Sequence, residues 1–563
     1  MLGADIIANV IARHGLKRIH IYPGGTIAPV LDAVVKQGTE VFCARHEQGA
    51  GYAALAAARL TGHTQVVMVT SGPGVTNVLT PVADAYFDSY PLVVLTGQVG
   101  TSDLRGVKPI RQSGFQEVDA IALLRPVTKA QFQITDPSQI LDVMERAFQV
   151  SMSGRPGPVL VDLPMDVQRC EVMGTNAINS LKITSPLEPD SSLVEQAVEW
   201  LVSSSRPVIL AGQGVLLSQA HRELRFLAER YQIPVSQSLL GLGAYPTTSP
   251  LALGFHGHTG NQYAALAIHN ADLLLVIGSR LDVRQTGSCL DSFVPRGRVI
   301  RIDLDPGELA HSRVRTNLNI HADANKALTA LNTSLACRQL PDWSAWRQQI
   351  KMWRDKFSLG YEKCNNLKPQ YVIETANRLT HKQPLVCVSG VGAHQHWVAR
   401  HFDFDFPKRM WLTSGGHGAM GYDLPVAIGA QLTRPETKVL CFVGDGSLQM
   451  NIQELATVAE YQLPIKIIIM DNHRLGMVSQ FQKMNWNSDP ACGHKWNPDF
   501  AAIGRSYGIA SVTLKTKEEV EPTLRIVLAD KSPALIHCIV DETEDVVPML
   551  LGGQTMDRMW PYA

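Results

Sequence analysis

Residues 439–480, VLCFVGDGSLQMNIQELATVAEYQLPIKIIIMDNHRLGMVSQ, decide the fold of this chain. The run 439–443 is short and apolar, as expected of a strand that is buried on both faces. A Gly-Asp-Gly turn follows, then one predicted helix that includes 447–459, and then a second apolar run at 465–470 that ends at Asp471-Asn472. Strand, turn, helix and strand predict two parallel strands of an α/β sheet, whose ligands bind where the strands end.

Asp445 and Asn472 follow these two strands, and their side chains suit a divalent cation. Mg²⁺ prefers oxygen ligands and is usually shared with substrate phosphates. A Gly-Asp-Gly turn alone is weak, because it most often marks an ordinary turn. Its combination with an asparagine at the end of the next strand resembles the signature of thiamine diphosphate enzymes. By this resemblance Asp445, Asn472 and the main-chain carbonyl of Arg474 hold the metal that anchors the diphosphate of thiamine diphosphate.

Length and composition limit the class of protein. The chain has 563 residues, of which 45% are hydrophobic and 18% charged, and its formal net charge is zero. That length predicts several cores, and the lack of a basic block argues against nucleic acid as a partner. Nine cysteines are scattered without zinc-like spacing. The N-terminus does not resemble a signal peptide and no apolar run could span a bilayer, so we expect a cytoplasmic protein with no membrane partner.

Alternating helix and strand patterns predict the fold class, which is α/β with three doubly wound parallel-sheet domains. The first domain is expected at residues 1–180, the second at 191–345 and the third at 365–545, with a C-terminal tail at 546–563. Residues 171–190 are predicted to form a linker, because glycine, asparagine and proline are frequent there.

The first domain contains RHEQGAGYAALAAARLTG, TSGPGVTN and PLVVLTGQV, which begin at positions 45, 70 and 91. Together they resemble the pyrimidine-binding domain of thiamine diphosphate enzymes. By this resemblance Glu47 is catalytic: its carboxyl group hydrogen-bonds a ring nitrogen of the cofactor's aminopyrimidine, which then removes the C2 proton of the thiazolium. The plain alternative for such a glutamate is a helix start favoured by the helix dipole. Further cofactor-binding residues implied in this domain are Gly24, Gly25, Pro73 and Asn77.

In this family the glutamate comes from one subunit and the metal site from another. The resemblance therefore implies a homodimer or homotetramer. One chain would then hold one end of the cofactor, and a second chain would hold the other end.

The middle domain resembles the flavin-binding domain of acetohydroxyacid synthases. The resemblance rests on SLLGLGAYP, GFHGHTGN, LLLVIGSRLDVRQTG and RVIRIDLDPGEL, which begin at positions 238, 254, 273 and 298. Glycine at a strand end allows close approach to a pyrophosphate, and a carboxylate at a strand end suits a ribose or adenine. FAD is therefore expected, with a structural role, because the proposed reaction transfers no electrons; a flavin-free relic domain is the alternative. The implied residues are Gly212, Gly214, Gly257, Arg280, Asp303 and Asp323.

The last domain contains TSGGHGAMGYDLPVAIGA at 413–430, which resembles the loop before the metal motif. By this resemblance Met420 is the apolar wedge that bends the cofactor, although filling a core is the commonest use of methionine. The other cofactor-binding residues implied here are Gly418, Gly444, Gly446, Ser447 and Met477.

Four residues match substrate-binding positions of acetohydroxyacid synthases. Phe115 and Gln116 lie in QSGFQEVDA and would contact the substrate. Arg284 would hold the carboxylate of the acceptor, a task suited to a planar bidentate donor. Phe481 stands where the synthases place a tryptophan that helps select 2-ketobutyrate, so the preference for that larger keto acid is expected to weaken.

Two more departures concern the same pocket. Met165 replaces the usual lysine at the pocket mouth, and Val283 replaces a second acid beside Arg284. A thioether does not attract a carboxylate, so these departures leave the choice of acceptor open.

The resemblance implies a transferase of the acetolactate synthase type. It would decarboxylate pyruvate and transfer the acetyl unit to a second 2-keto acid, giving 2-acetolactate. One alternative keeps this donor but uses a keto sugar or another ketone in secondary or polysaccharide metabolism. A second is a non-catalytic, cofactor-binding subunit, which the presence of Glu47, Asp445 and Asn472 disfavours. A third is an oxidase that passes electrons to the flavin.

Overall fold

The structure is a computed structural model that describes residues 1–173, 185–361 and 365–562. Three six-stranded sheets follow one another along the chain, and every strand pair in them is parallel. The predicted fold class is therefore confirmed. Part of the predicted linker at 171–190 lies outside the described residues.

The first sheet has the order β2-β1-β3-β4-β6-β5. Its strands are β1 (Arg18–Tyr22), β2 (Glu40–Cys43), β3 (Gln65–Val69), β4 (Leu92–Gln98), β5 (Ala130–Gln133) and β6 (Val159–Pro164). Its helices are α1 (Gly3–Arg13), α2 (Ala28–Lys36), α3 (Glu47–Thr61), α4 (Pro73–Phe87), α5 (Ala120–Leu124), α6 (Ile140–Met152) and α7 (Met165–Arg169).

The middle sheet has the order β12-β11-β10-β7-β8-β9. Its strands are β7 (Pro207–Ala211), β8 (Val235–Gln237), β9 (Ala252–Phe255), β10 (Leu273–Ile277), β11 (Arg298–Asp303) and β12 (Leu318–His321). Its helices are α8 (Ser191–Ser203), α9 (Gln213–Leu217), α10 (His221–Tyr231), α11 (Gln262–His269), α12 (Val283–Thr286), α13 (Pro306–Ala310), α14 (Ala324–Leu335) and α15 (Ser344–Lys356). This is the strand order of dinucleotide-binding folds, whose topology reverses between the two central strands, here β7 and β10.

The third sheet has the order β14-β13-β15-β16-β18-β17, which repeats the topology of the first. Its strands are β13 (Leu385–Ser389), β14 (Arg409–Leu412), β15 (Lys438–Gly444), β16 (Lys466–Asp471), β17 (Ala510–Leu514) and β18 (Ala534–Ile539). Its helices are α16 (Pro369–Leu379), α17 (Ala393–His401), α18 (Asp423–Thr433), α19 (Asp445–Met450), α20 (Glu454–Glu460), α21 (Gly476–Trp486), α22 (Phe500–Ser506) and α23 (Lys517–Ala529).

One expectation about this sheet was wrong. The single helix predicted across residues 447–459 is two helices, α19 and α20, separated at Asn451. The side-chain amide of Asn451 donates to the Gly421 carbonyl at 2.7 Å and to the Gln48 side chain at 3.3 Å. These bonds to other segments compete with continuation of the helix.

The first and third domains share a hydrophobic core through helices α3 and α18. The contact is close because both helices carry small residues there: a Cβ built on Gly429 would lie 2.4 Å from the carbonyl oxygen of Ala53. No helix among the described residues is both long enough and apolar enough to cross a bilayer.

We expect Gly429→Val to separate α3 from α18, because the added carbons have no space against the backbone of Ala53. Overpacking of this kind typically costs about 1–3 kcal/mol. Urea unfolding of the purified variant measures the loss. Gly360→Val is the control, since nothing lies within 4 Å of a Cβ at that glycine; equal stability of the two variants would contradict the close helix contact.

Candidate active site

Glu47 begins helix α3, just after strand β2, and is buried at 5% exposure. His46 caps the helix, because its Nδ1 accepts the N–H of Gln48. The Asn77 side chain on α4 donates to Oε2 of Glu47 at 3.0 Å. Glu47 and Asn77, both predicted as site residues, are thus brought together, and the amide fixes the orientation of the carboxyl group.

The other predicted residues of this domain lie at the same edge of the sheet. Gly24 follows β1, and a Cβ there would meet the side chain of Thr70 at 2.4 Å. Gly25 opens a short 3-10 turn, and Pro73 is the first residue of α4. These residues form the carboxyl edge of the first sheet, as expected for a ligand site.

Asp445 and Asn472 lie at the ends of the adjacent strands β15 and β16 and are both buried. Asp471, just before Asn472, brings a second carboxylate to the same edge. The Asn497 amide nitrogen lies 2.7 Å from Oδ2 of Asp445 and 2.7 Å from Oδ1 of Asp471, so it donates to both. Arg474 lies in the turn that follows, and its guanidinium turns away to bind Asp545 at 2.8 Å.

Two buried carboxylates at one sheet edge make this place favourable for a cation. Burial, and then the charge of Asp471, raise the pKa of Asp445 to about 6. The His537 imidazole is 2.7 Å from the other carboxylate oxygen of Asp471. The described residues contain no cluster of three histidine, cysteine, aspartate or glutamate side chains that could hold a metal. Mg²⁺ does not need one, because it accepts a carboxylate, an amide oxygen, a carbonyl and water.

A polar network supports the turn after β15. Asp423 accepts the Ser447 hydroxyl, the Gly390 N–H and, at 3.0 Å, the His394 imidazole. Ser447 in turn accepts the N–H of Gly421 at 2.9 Å. The buried Asp423 therefore holds three separate segments around the predicted diphosphate-binding turn.

Met420 also reaches this turn. Its methyl carbon lies 3.5 Å from the position of a Cβ on Gly446. Gly418, two residues earlier, has a positive φ of 75°, which favours glycine. Met477 is the second residue of α21 and packs against a cluster that includes Ala393. Of the predicted cofactor residues outside this turn, Met420 thus lies next to Gly446.

The four predicted substrate residues lie on three separate segments of the chain. Phe115 is 85% exposed on a loop, and its neighbour Gln116 packs against Gly72. Phe481 lies on α21 against Trp486 and is 55% exposed. Arg284 lies on α12, in the middle domain, and faces a large cavity.

This cavity has a volume of about 1400 Å³ and lies along the carboxyl edge of the middle sheet. Five predicted cofactor residues line it, namely Gly214, Gly257, Arg280, Asp303 and Asp323. Gly212 is not among the lining residues. It lies beneath the cavity, where a Cβ would be 2.1 Å from the carbonyl oxygen of Gly278. Gly212 follows β7 and Gly278 follows β10, so both lie at the reversal point of the sheet.

Sequence reasoning missed Asp423, His394, Asn497 and Asp471. Asp471 had a signal, since it is the acid next to a predicted metal ligand. Asn497 had none, because it is far from the metal motif in the chain and reaches it through a loop.

The chain is similar to known proteins over most of its length. Residues 1–123 of this chain match the N-terminal TPP binding domain of thiamine pyrophosphate enzymes. Residues 194–331 match their central domain, and residues 390–538 match their C-terminal TPP binding domain. The acetolactate synthase isozyme 3 large subunit of Escherichia coli (strain K12) is 37% identical over 99% of this chain and 98% of its own. The probable acetolactate synthase large subunit of Methanocaldococcus jannaschii is 36% identical, over 100% and 95%. Acetolactate synthase 1, chloroplastic, of Oryza sativa subsp. japonica is also 36% identical, over 99% and 87%.

We expect Asp445→Asn to stabilise the metal-free chain at pH 8. A carboxyl group whose folded-state pKa is raised costs stability above its unfolded pKa, because its charged form is disfavoured in the fold. The gain is about 3 kcal/mol at pH 8 and shrinks as the pH falls from 6 toward 4. Urea unfolding at several pH values measures it.

Asp355→Asn, on an exposed face of α15, is the matched control and should show no such gain. Mg²⁺ with thiamine diphosphate should raise the free energy of unfolding of the wild type but not that of Asp445→Asn. If Asp445→Asn has a lower free energy of unfolding than the wild type at pH 8 without metal, the charged form of Asp445 does not destabilise the fold.

Proposed function

Because the chain belongs to the acetolactate synthase large-subunit family of thiamine pyrophosphate enzymes, we propose that it decarboxylates pyruvate and transfers the acetyl unit to a second 2-keto acid. With pyruvate as acceptor the product is 2-acetolactate. The observation that carries the proposal is that Asp445 and Asn472 follow adjacent parallel strands, with Met420 next to the turn at Gly446. The names of the relatives give no support to a keto sugar acceptor.

Thiamine diphosphate, which is thiamine pyrophosphate, supplies the electron-sink chemistry for decarboxylation when bound. Asp445, Asn472 and the Arg474 carbonyl would hold Mg²⁺ on its diphosphate. The two carboxylates that share the Asn497 amide support this fit, since a divalent cation relieves their repulsion. Ser447 and Gly446 would contact the diphosphate, and Asp423 would keep that turn in place.

Glu47 is the proposed catalytic acid. Its carboxyl group would share a proton with the aminopyrimidine ring nitrogen, and the low dielectric around a buried side chain strengthens that bond. The Asn77 amide, bound to Oε2, leaves Oε1 to face the cofactor. Gly24, Gly25 and Pro73 would border the ring from the same sheet edge.

FAD is the proposed occupant of the large middle cavity, with a structural role. The strand order of this sheet and the close approach of Gly212 and Gly278 at its reversal point are features of dinucleotide sites. Asp303 and Asp323 would contact the sugar or adenine. Arg155, from the first domain, reaches Asp305 at 3.1 Å and Glu308 at 2.9 Å, so it closes the cavity from the side.

The active unit is proposed to be at least a dimer. In one chain Phe115 is 85% exposed and Val107, on the same loop, is fully exposed. Exposed apolar side chains of this kind are usual where a second protein packs. Phe115 and Gln116 would then reach the substrate of a neighbouring chain, whereas Arg284 and Phe481 would bind from the chain that holds the metal.

We expect purified protein with pyruvate, Mg²⁺, thiamine diphosphate and FAD to release CO₂ and form 2-acetolactate. Product analysis by mass spectrometry tests this, and omission of thiamine diphosphate should abolish both products. Consumption of O₂ in proportion to pyruvate would favour an oxidase. No acetolactate from pyruvate alone would overturn the proposal.

Complementation tests whether one site draws on two chains. Glu47→Gln should keep the cofactor but lose at least about a hundredfold in rate, since the general acid–base contribution is lost. Asp445→Asn should lose the metal and the activity. Mixed and reassembled in equal amounts, the two inactive variants should recover about one quarter of the wild-type rate, because half the dimers are mixed and one of their two sites is intact.

The control mixes Glu47→Gln with Glu47→Gln/Asp445→Asn, in which no intact site can form. Recovery absent from both mixtures, with mixed dimers demonstrated by mass spectrometry, would place Glu47 and the metal in the same chain.

A further inference from the structure

Four basic side chains meet at the inner end of the large cavity, and the steps described above use only one of them. They are His258, in the turn after β9, Arg284 on α12, and His396 and Arg400 on α17. We refer to them as the basic cluster. His258, Arg284 and His396 line the cavity. The two imidazole rings are 5.5 Å apart and perpendicular.

His258 has hydrogen-bonding capacity that the described residues do not satisfy. Its Nδ1 is buried without a partner, and no described residue bonds its Nε2. By contrast Nδ1 of His396 is already hydrogen-bonded to the Thr259 hydroxyl at 2.8 Å. A buried polar nitrogen without a partner costs free energy, so a ligand or water is expected at His258.

The basic cluster also carries positive charge without a facing carboxylate. Asp282, the nearest acid in the chain to Arg284, caps α12 and lies 3.3 Å from Arg280. Glu544, the acid whose charge acts on Arg400, is bound to Lys368 at 2.6 Å. Among the described residues the Arg284 guanidinium has no hydrogen-bond partner. Burial and the two guanidinium groups lower the pKa of His258 to about 3, so its ring is neutral and offers one N–H.

The backbone fixes the basic cluster beside the proposed thiamine site. Ala393 on α17 lies 3.1 Å from the position of a Cβ on Gly476, the residue before Met477. The C-terminal tail closes the other side, since Leu550 donates to the His258 carbonyl at 2.6 Å and Arg400 donates to the Val547 carbonyl at 2.5 Å. The C-terminal tail therefore holds His258 and Arg400 in place, while Arg284 is exposed at the cavity.

We propose that His258 and Arg284 together bind the carboxylate of the acceptor 2-keto acid, with His396 positioning the ring of His258. This inference rests on the proposed function and adds a residue to its acceptor site. Arg284 supplies charge and a planar pair of donors, and His258 supplies a second N–H from the opposite wall. Because the site would recognise the carboxylate of the acceptor, pyruvate remains a good acceptor. This holds even though Phe481, smaller than tryptophan, leaves more space around the alkyl group.

The test compares His258→Met with His258→Gln in the holoenzyme. Both side chains are similar in length, but only glutamine retains an N–H donor. Each variant receives pyruvate as donor and a mixture of pyruvate and acetaldehyde as acceptors, and the ratio of acetolactate to acetoin is measured. Acetaldehyde has no carboxylate, so acetoin formation reports all steps except the proposed contact.

We expect His258→Met to lower the acetolactate-to-acetoin ratio about tenfold, as for loss of one hydrogen bond to a charged group. His258→Gln should stay within about threefold of the wild type. His381→Met, at an exposed position, should leave the ratio unchanged. Bound thiamine diphosphate and FAD, measured after denaturation, should be equal in all four proteins.

Three outcomes would overturn the inference. An unchanged ratio in His258→Met shows that its N–H does not contact the acceptor. An equal fall in His258→Met and His258→Gln, or a parallel loss of both products with the cofactors, shows a structural role. If the wild type releases CO₂ and the variants give one of these results, only the acceptor contact is refuted. If the wild type releases no CO₂, the proposed function is refuted as well.

Discussion

The repulsion between two buried carboxylates is the constraint on which the rest of the structure depends. Asp445 and Asp471 end neighbouring strands of a parallel sheet, and a single amide, that of Asn497, donates to both. An amide compensates this charge only in part, since it carries no net charge. A cation is what such an arrangement favours, and the surrounding turns provide it with neutral oxygen ligands.

Other parts of the molecule position this pair rather than add charge to it. Asp423, the first residue of α18, binds the turn after β15, the turn after β13 and α17 by three hydrogen bonds. The third and first domains are joined through α3 and α18, which approach at Gly429 and Ala53. The helix that carries Glu47 is therefore part of the same packed core as the metal edge. A close contact of this kind fixes the two domains relative to each other within one chain.

The middle domain differs from its neighbours in topology, and this difference matches a different task. Its strands follow the dinucleotide-binding order, and its carboxyl edge opens into the large cavity. One end of this cavity carries the positive charge of Arg284 beside the neutral ring of His258, near His396 of α17. One cavity thus joins a place suited to a nucleotide with a place suited to a carboxylate.

The sequence alone determined the three parallel sheets, because their strands are short apolar runs between glycine-rich turns and helical patterns. It also proposed Asp445, Asn472 and Glu47 as site residues, because the motifs that contain them resemble those of thiamine diphosphate enzymes. Only the tertiary structure decided that α19 and α20 are separate, that Asn497 joins two carboxylates and that His258 and Arg284 line the same cavity. These depend on contacts between segments remote in the chain, which local residue patterns do not encode.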